Sequence, residues 1–405
     1  MQTAVPEKQA VSKILAPTRK RRALSLLAFG AAVACAVLSL LLLPYWHIAG
    51  EKLHVGLGWQ AKFSGAKLAG NSGAKDADPQ SWRTQLQAEL YKLLGITPEL
   101  AQLNYKILRD ENVQTMNSEG TQLRYRRQQF EISSRTHKEI AGFLLIPPCP
   151  SSGPAAAKNG KRPCIICVPG HGQGLDHVVG INSDGLLFKL WDGSPRDYAL
   201  FFAKRGYIVC AFEQIGIGQR CEMGNDRRFE KFECLLTDAR LRYTGKSTLG
   251  ERVEDARRVV SFVAAQPDID PTRIAMMGLS AGGTTTLYTA ALDQRVKCAI
   301  VASAFAAPKE SIFKNAQCLC NYVPGVHTTA TPSAVAALIA PRFLLVETGL
   351  QDPLYPAQSA QQEFSDCQAI FKASGVGDNV SIDVQNHGHR QFYGLGALKF
   401  LAQWL

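Results

Sequence analysis

The 405-residue sequence predicts an α/β fold, a mostly parallel central sheet covered by helices on both faces. Three observations predict it. Short strand-like runs at 163–168, 207–212, 273–278, 297–303 and 342–348 alternate with helix-compatible stretches near 196–205, 251–265, 283–292 and 356–373. One of these runs, Arg273-Ile-Ala-Met-Met-Gly-Leu-Ser280-Ala-Gly-Gly283, carries a serine into a Gly-x-Ser-x-Gly frame followed by helix-forming residues. An aspartate follows the run 342–348, and histidines follow a final strand at 380–384, in that order. With 46% hydrophobic residues the chain can bury a core of the size such a sheet needs, and no internal repeat interrupts it.

Before the sheet, residues 82–94 read as an amphipathic helix, and 104–116, 121–134 and 139–146 as extra strands leading into it. Pro147-Pro-Cys-Pro-Ser-Ser-Gly-Pro154 is a surface loop. Asp268-Ile-Asp-Pro-Thr272 reads as the turn before the serine-bearing strand, and 284–292 as the helix after it. A serine on so sharp a turn exposes its Oγ at a helix N-terminus and aims the Ala281 backbone N–H at a developing oxyanion. The plainer alternative is a tight strand-to-helix turn in which Ser280 merely caps the helix. Asp352 lies in the loop that leaves the run 342–348, and His387 and His389 follow a final strand at 380–384, before a closing amphipathic helix at 395–405. Asp352 is therefore the acid candidate. His389 is the favoured base because Gly388 frees the loop to turn it towards Ser280, and His387 remains its competitor. Each could instead be an ordinary loop residue, with Asp352 forming an Asx turn before Pro353.

The second oxyanion donor is expected in the loop after the run 163–168, where Pro169-Gly170-His171-Gly172-Gln-Gly174 allows close main-chain approach; the role falls to the His171 backbone N–H. The glycines there lack the Lys-Ser/Thr of a phosphate-binding loop. Insertions near 175–196, 218–250 and 304–335 sit on the C-terminal side of the strands as walls or lid of a pocket.

The succession Val168-Pro-Gly-His-Gly-Gln173, Arg205-Gly-Tyr-Ile-Val209, Gly216-Ile-Gly-Gln-Arg220, Gly278-Leu-Ser-Ala-Gly-Gly283, Ala340-Pro-Arg-Phe-Leu344 and Gly349-Leu-Gln-Asp352 resembles the α/β-hydrolase superfamily, nearest to its acetyl xylan esterase and dienelactone-hydrolase-like group. The resemblance spans roughly residues 80–405. It implies an α/β-hydrolase fold and a serine carboxylic-ester hydrolase in which Ser280, Asp352 and His389 are nucleophile, acid and base. No cofactor is implied, and the substrate is a small-molecule or carbohydrate ester. Where cephalosporin and xylan deacetylases carry Arg-Gly-Gln and Gly-x-Ser-Gln-Gly, this chain has Arg205-Gly-Tyr207 and Gly278-Leu-Ser-Ala-Gly282. A prolyl-oligopeptidase-like serine peptidase is the alternative enzyme, although no propeller-like domain precedes the hydrolase region, and a catalytically silent binding module on the same fold is the non-enzymatic one.

The leader supplies a separate expectation. Arg19-Lys-Arg-Arg22 ends a basic segment, 1–22, and the uncharged run 23–43 is long enough to cross a hydrocarbon core of roughly 30 Å as a transmembrane or signal-anchor helix. Basic residues stay cytoplasmic, so the catalytic domain is expected outside, periplasmic or extracellular, or secreted if the leader is cleaved. Residues 44–80, rich in Gly, Ser, Ala and Lys, read as a flexible tether to a domain at 81–405.

The net charge of +11 is dispersed outside the leader and comes with no nucleic-acid-binding module, so no nucleic-acid partner is expected. Of eleven cysteines, Cys35 falls within the anchor. The remaining ten suit an oxidising compartment, with Cys221–Cys234 and Cys149–Cys164 as conceivable loop-closing disulfides. Cys164-Ile-Ile-Cys167 and Cys318-Leu-Cys320 have metal-like spacing, but the first pair lies on a strand and no matching second pair occurs, so no metal site is expected.

Overall fold

The computed structural model describes residues 61–64, 79–116, 122–136, 138–172, 174–181, 197–221, 230–315, 317–389 and 394–405. In chain order these form α1 (Pro79–Leu94), β1 (Tyr105–Met116), β2 (Gln122–Ile132), β3 (Ile140–Ile146), β4 (Arg162–Val168), α2 (Leu175–Val178), α3 (Tyr198–Ala203) and β5 (Ile208–Phe212). There follow α4 (Glu230–Tyr243), α5 (Thr248–Ala264), β6 (Ile269–Leu279), α6 (Ala281–Leu292), β7 (Cys298–Ala302), α7 (Val326–Thr329) and α8 (Pro332–Ala337). The chain closes with β8 (Phe343–Gly349), α9 (Ala357–Ala373), β9 (Val380–Gln385) and α10 (Leu395–Trp404).

Nine strands form one sheet in the order β1-β2-β3-β5-β4-β6-β7-β8-β9. The first three are antiparallel, and the six from β5 to β9 run parallel. Every side chain of β4 and β5 is buried, as in a strand covered on both faces. The pleat sends alternate residues to opposite cores. Cys164, Ile166 and Val168 join the side built with α1, α5, α6, α8 and α9, whereas Ile165 and Cys167 join the side built with α2, α3 and α10. Helix α5 starts where Ser247 Oγ accepts the Gly250 N–H at 3.1 Å, a side-chain cap at its N-terminus.

The expected strands and helices are in place, and two boundaries move. Of the turn expected at 268–272, residues 269–272 fall inside β6, which begins at Ile269 because Arg162 pairs with it across the sheet. Within the expected tether 44–80, residues 61–64 are seated on the domain. Lys62 and Phe63 donate their N–H groups to the Thr328 and Thr329 carbonyls at 2.9 and 2.7 Å, and Phe63 is buried. The expected anchor at 23–43 lies outside the described residues; among the described residues no helix is long and apolar enough to cross a membrane.

The conceivable disulfides are corrected. All ten described cysteines are free thiols, and Cys149 is exposed while Cys164 is buried in β4. Burial pushes the Cys164, Cys167 and Cys210 thiols well above the usual range, which keeps them protonated and inert.

Candidate active site

Three loops leaving the C-terminal ends of parallel strands converge on one point. Ser280 follows β6 with φ +57° and ψ −122°, a left-handed backbone that an L-residue holds only when its surroundings enforce it. Two close approaches enforce it. A Cβ on Gly278 would stand 2.2 Å from the Gly282 carbonyl oxygen, and one on Gly282 would stand 2.1 Å from that of Val168. Only glycine lets β4, β6 and α6 meet this tightly. The turn is pinned further by the Ser280 N–H, which donates to the Ala302 carbonyl at 2.9 Å.

The structure brings Ser280, Asp352 and His389 together. His389 Nε2 lies 2.8 Å from Ser280 Oγ, and His389 Nδ1 lies 2.9 Å from Asp352 Oδ2. The tautomer that suits both partners carries its proton on Nδ1 and accepts from the serine hydroxyl on Nε2. Asp352 is buried, and its second oxygen, Oδ1, accepts the Leu354 and Tyr355 N–H groups at 2.8 and 3.0 Å. The carboxylate is thereby held in one orientation, by an Asx-type turn that serves the site. His387 does not reach Ser280. It is buried with Nδ1 beside the Gly388 carbonyl, and its own carbonyl accepts the Gln351 N–H at 2.9 Å, so it ties the two loops together.

Residues 390–393, which follow His389, lie outside the described residues. The ring that stacks on His389 is Tyr355, with centroids 5.7 Å apart and planes 11° apart. Sequence reasoning missed it, although an aromatic residue three positions after the acid was there to be read.

His171 lines the same space and Ala281 directly follows Ser280, and among the described residues neither backbone N–H donates a hydrogen bond. Three buried side chains the sequence reading overlooked hold the His171 loop. Tyr198 OH donates to the Val168 carbonyl at 2.6 Å. Gln214 donates to the Pro169 carbonyl and accepts from Thr285 Oγ1 on α6 at 2.6 Å, joining the loop to the helix behind Ser280. Glu213 accepts the Leu175 N–H at 3.1 Å, and burial pushes its carboxyl up to about 8. Arg220, in the quoted Gly-Ile-Gly-Gln-Arg run, is a buried clamp on Asp255 at 2.6 Å rather than a pocket residue. A pocket of about 110 Å³ opens over Ser280 and His389, walled by Gly170, His171, Val178 and Leu354.

The His171 imidazole, to which the sequence reading gave no work, is not idle. Its Nε2 lies 3.4 Å from Cys234 Sγ and 3.3 Å from Cys320 Sγ, and with Cys318 these form a group whose ligand atoms all lie within 4.8 Å of one another. The second cysteine pair that a metal site was expected to require is replaced by two residues distant in sequence.

The profile of the prolyl oligopeptidase family matches residues 241–390. The Bacillus subtilis (strain 168) protein described as "Putative hydrolase YtaP" is 24% identical over 330 residues, 80% of this chain and 100% of that protein. Among solved structures, a glucuronoyl esterase from Solibacter usitatus superposes with a TM-score of 0.59 at 18% identity, covering 86% of this chain and 99% of its own. A Bacteroides fragilis protein described as a "putative acetyl xylan esterase" gives 0.57 at 18% identity, over 80% of this chain and 77% of that one. Methylesterase BT1017 gives 0.55 at 18% identity, over 84% and 67%. The fold is that of the α/β-hydrolase superfamily.

Proposed function

We propose that this protein is a serine hydrolase of carboxylic esters, with a carbohydrate-borne ester as its substrate class. The observation that carries the reading is the hydrogen-bonded line from Ser280 through His389 to the buried Asp352, beside a pocket. In this reading His389 Nε2 takes the Ser280 proton as Oγ attacks the ester carbonyl, and Asp352 stabilises the imidazolium that forms. The N–H groups of His171 and Ala281 receive the oxyanion. His389 then returns the proton to the departing alcohol, leaving an acyl-enzyme, and takes another from the water that hydrolyses it. The carbohydrate class is supported by neighbours described as a glucuronoyl esterase and an acetyl xylan esterase.

The family profile over 241–390 favours a second reading, in which the same groups cleave amides. Hydrolysis of acetylated and methyl-esterified sugars, set beside peptide anilides on one enzyme preparation, decides between them. Turnover of the sugar esters is expected; anilide cleavage without ester cleavage would reverse the assignment.

The run 23–43, with its basic flank, further supports anchoring of the domain outside the cytoplasm. The full chain is expected to sediment with membranes after alkaline washing, and deletion of residues 1–50 to release soluble, active protein. Recovery of the full chain in the cytosolic fraction would contradict the anchor.

A further inference from the structure

Arg252 on α5 is 2% exposed, so its guanidinium is out of water and requires a counter-charge. Among the described residues no carboxylate pairs with it. Its partners are the Ile215 carbonyl, at 3.3 and 3.0 Å, and two sulfur atoms, Cys320 Sγ at 3.3 Å from Nη1 and Cys234 Sγ at 3.3 Å from Nη2. A carbonyl carries no net charge, so a buried cation whose other partners are sulfur atoms calls for negative charge on that sulfur.

Beyond those two sulfurs lie Cys318 Sγ and His171 Nε2, completing a set of three sulfurs and one imidazole nitrogen within 4.8 Å of one another. Three sulfurs and one nitrogen are the donors of a closed, tetrahedral zinc site. With zinc–sulfur bonds of about 2.3 Å and a zinc–nitrogen bond of about 2.0 Å, tetrahedral angles put sulfur about 3.5 Å from nitrogen and about 3.8 Å from sulfur. The two nitrogen–sulfur distances, 3.4 and 3.3 Å, already stand near that value. The charges close as well: three thiolates, one zinc(II) and the Arg252 guanidinium sum to zero in a buried place. Arg252 would then donate N–H···S bonds to two ligands, the outer contact that tunes a thiolate site. Cys234 and Cys320 are buried, whereas Cys318 is partly exposed and His171 exposed, which leaves a side for the ion to enter.

We propose that His171, Cys234, Cys318 and Cys320 bind one zinc ion in a structural site. The ligands come from three separate places: the loop after β4, helix α4, and the turn at Leu319–Asn321 between β7 and α7. The ion ties helix α4 and the Leu319–Asn321 turn to the loop after β4, whose His171 lines the pocket over Ser280. With four protein ligands it has no open position for substrate or water, so it acts through positioning. The binding claim stands independently of the proposed esterase reaction, because its test reads metal and not turnover.

The test uses the full chain, purified under reducing conditions without chelator. Elemental analysis is expected to give about one zinc per chain, and exchange with cobalt(II) to give the thiolate charge-transfer and d–d absorption of a tetrahedral site. Cys320→Ser and Cys234→Ser are expected to lower retained zinc at least about tenfold, while Cys149→Ser, changing an exposed thiol elsewhere, retains it in full. If the ligand variants fail to fold, the cobalt spectrum of the parent protein decides by itself. Less than a tenth of an equivalent of zinc in a zinc-supplemented preparation, a cobalt spectrum without thiolate bands, or a disulfide joining any two of the three cysteines overturns the proposal.

Discussion

Ser280→Ala is expected to lower kcat/KM for an activated ester by at least about 10³-fold, a loss of about 4 kcal/mol or more in transition-state stabilisation. Removing Oγ removes the atom that would bond to the substrate carbonyl. The backbone N–H groups of Ala281 and His171 stay in place, so a residual acceleration over water should persist. The fold should not suffer. Ser280 is half-buried, and its strained turn is held by the close approaches at Gly278 and Gly282 and by the bond from the Ser280 N–H to Ala302. Thermal unfolding of the variant, measured beside ester turnover, checks both halves. Near-normal turnover removes Ser280 from the mechanism, and a collapse of the melting transition removes the argument that only chemistry was lost.

His389→Ala is expected to be about as damaging as Ser280→Ala, because a nucleophile and its base act as one unit. His387→Ala should cost at most a factor of about ten. The contrast rests on geometry. His389 stands 2.8 Å from Ser280 Oγ and 2.9 Å from Asp352, whereas His387 contributes a carbonyl to Gln351 that an alanine also supplies. What alanine loses is the buried ring fitted against Gly349, where a Cβ would meet His387 Nδ1 at 2.6 Å, and the hydrogen bond between Nδ1 and the Gly388 carbonyl. Those are local losses within a loop, felt as disorder of the neighbouring His389. Single-turnover acylation of both variants with an activated ester separates them. A dead His387→Ala beside an acylating His389→Ala would reassign the base.

The parts of the site that were legible in the sequence are those that local chemistry dictates. A Gly-x-Ser-x-Gly turn can be read because the strained Ser280 backbone demands glycines at fixed offsets, and Asp352 and His389 because each lies in the loop that follows a strand run. The three strands before the parallel sheet were legible as strand-like runs, whereas their antiparallel pairing was not. The rest depends on contacts between distant segments. Nothing near Gln214 announces that it will join the Pro169 carbonyl to Thr285, and nothing near Tyr355 fixes the stack on His389. The cysteines are the sharpest case. Cys318-Leu-Cys320 lacks a second pair in sequence, while folding supplies Cys234 from 84 residues upstream of Cys318 and His171 from 149 upstream of Cys320. Residues 61–64 look like linker by composition, and contacts distant in sequence, the Thr328 and Thr329 carbonyls and the burial of Phe63, make them part of the domain.

The central claim is that Ser280 is a nucleophile activated by His389. It is tested most directly by treating the protein with a fluorophosphonate and locating the adduct by peptide mass spectrometry. A single covalent modification is expected on the peptide containing Ser280, close to one per chain. It should be absent in Ser280→Ala, slowed at least about 10³-fold in His389→Ala, and accompanied by parallel loss of ester turnover. An unmodified Ser280 in protein that still hydrolyses esters, or an adduct on a different residue that tracks the loss of activity, would contradict it.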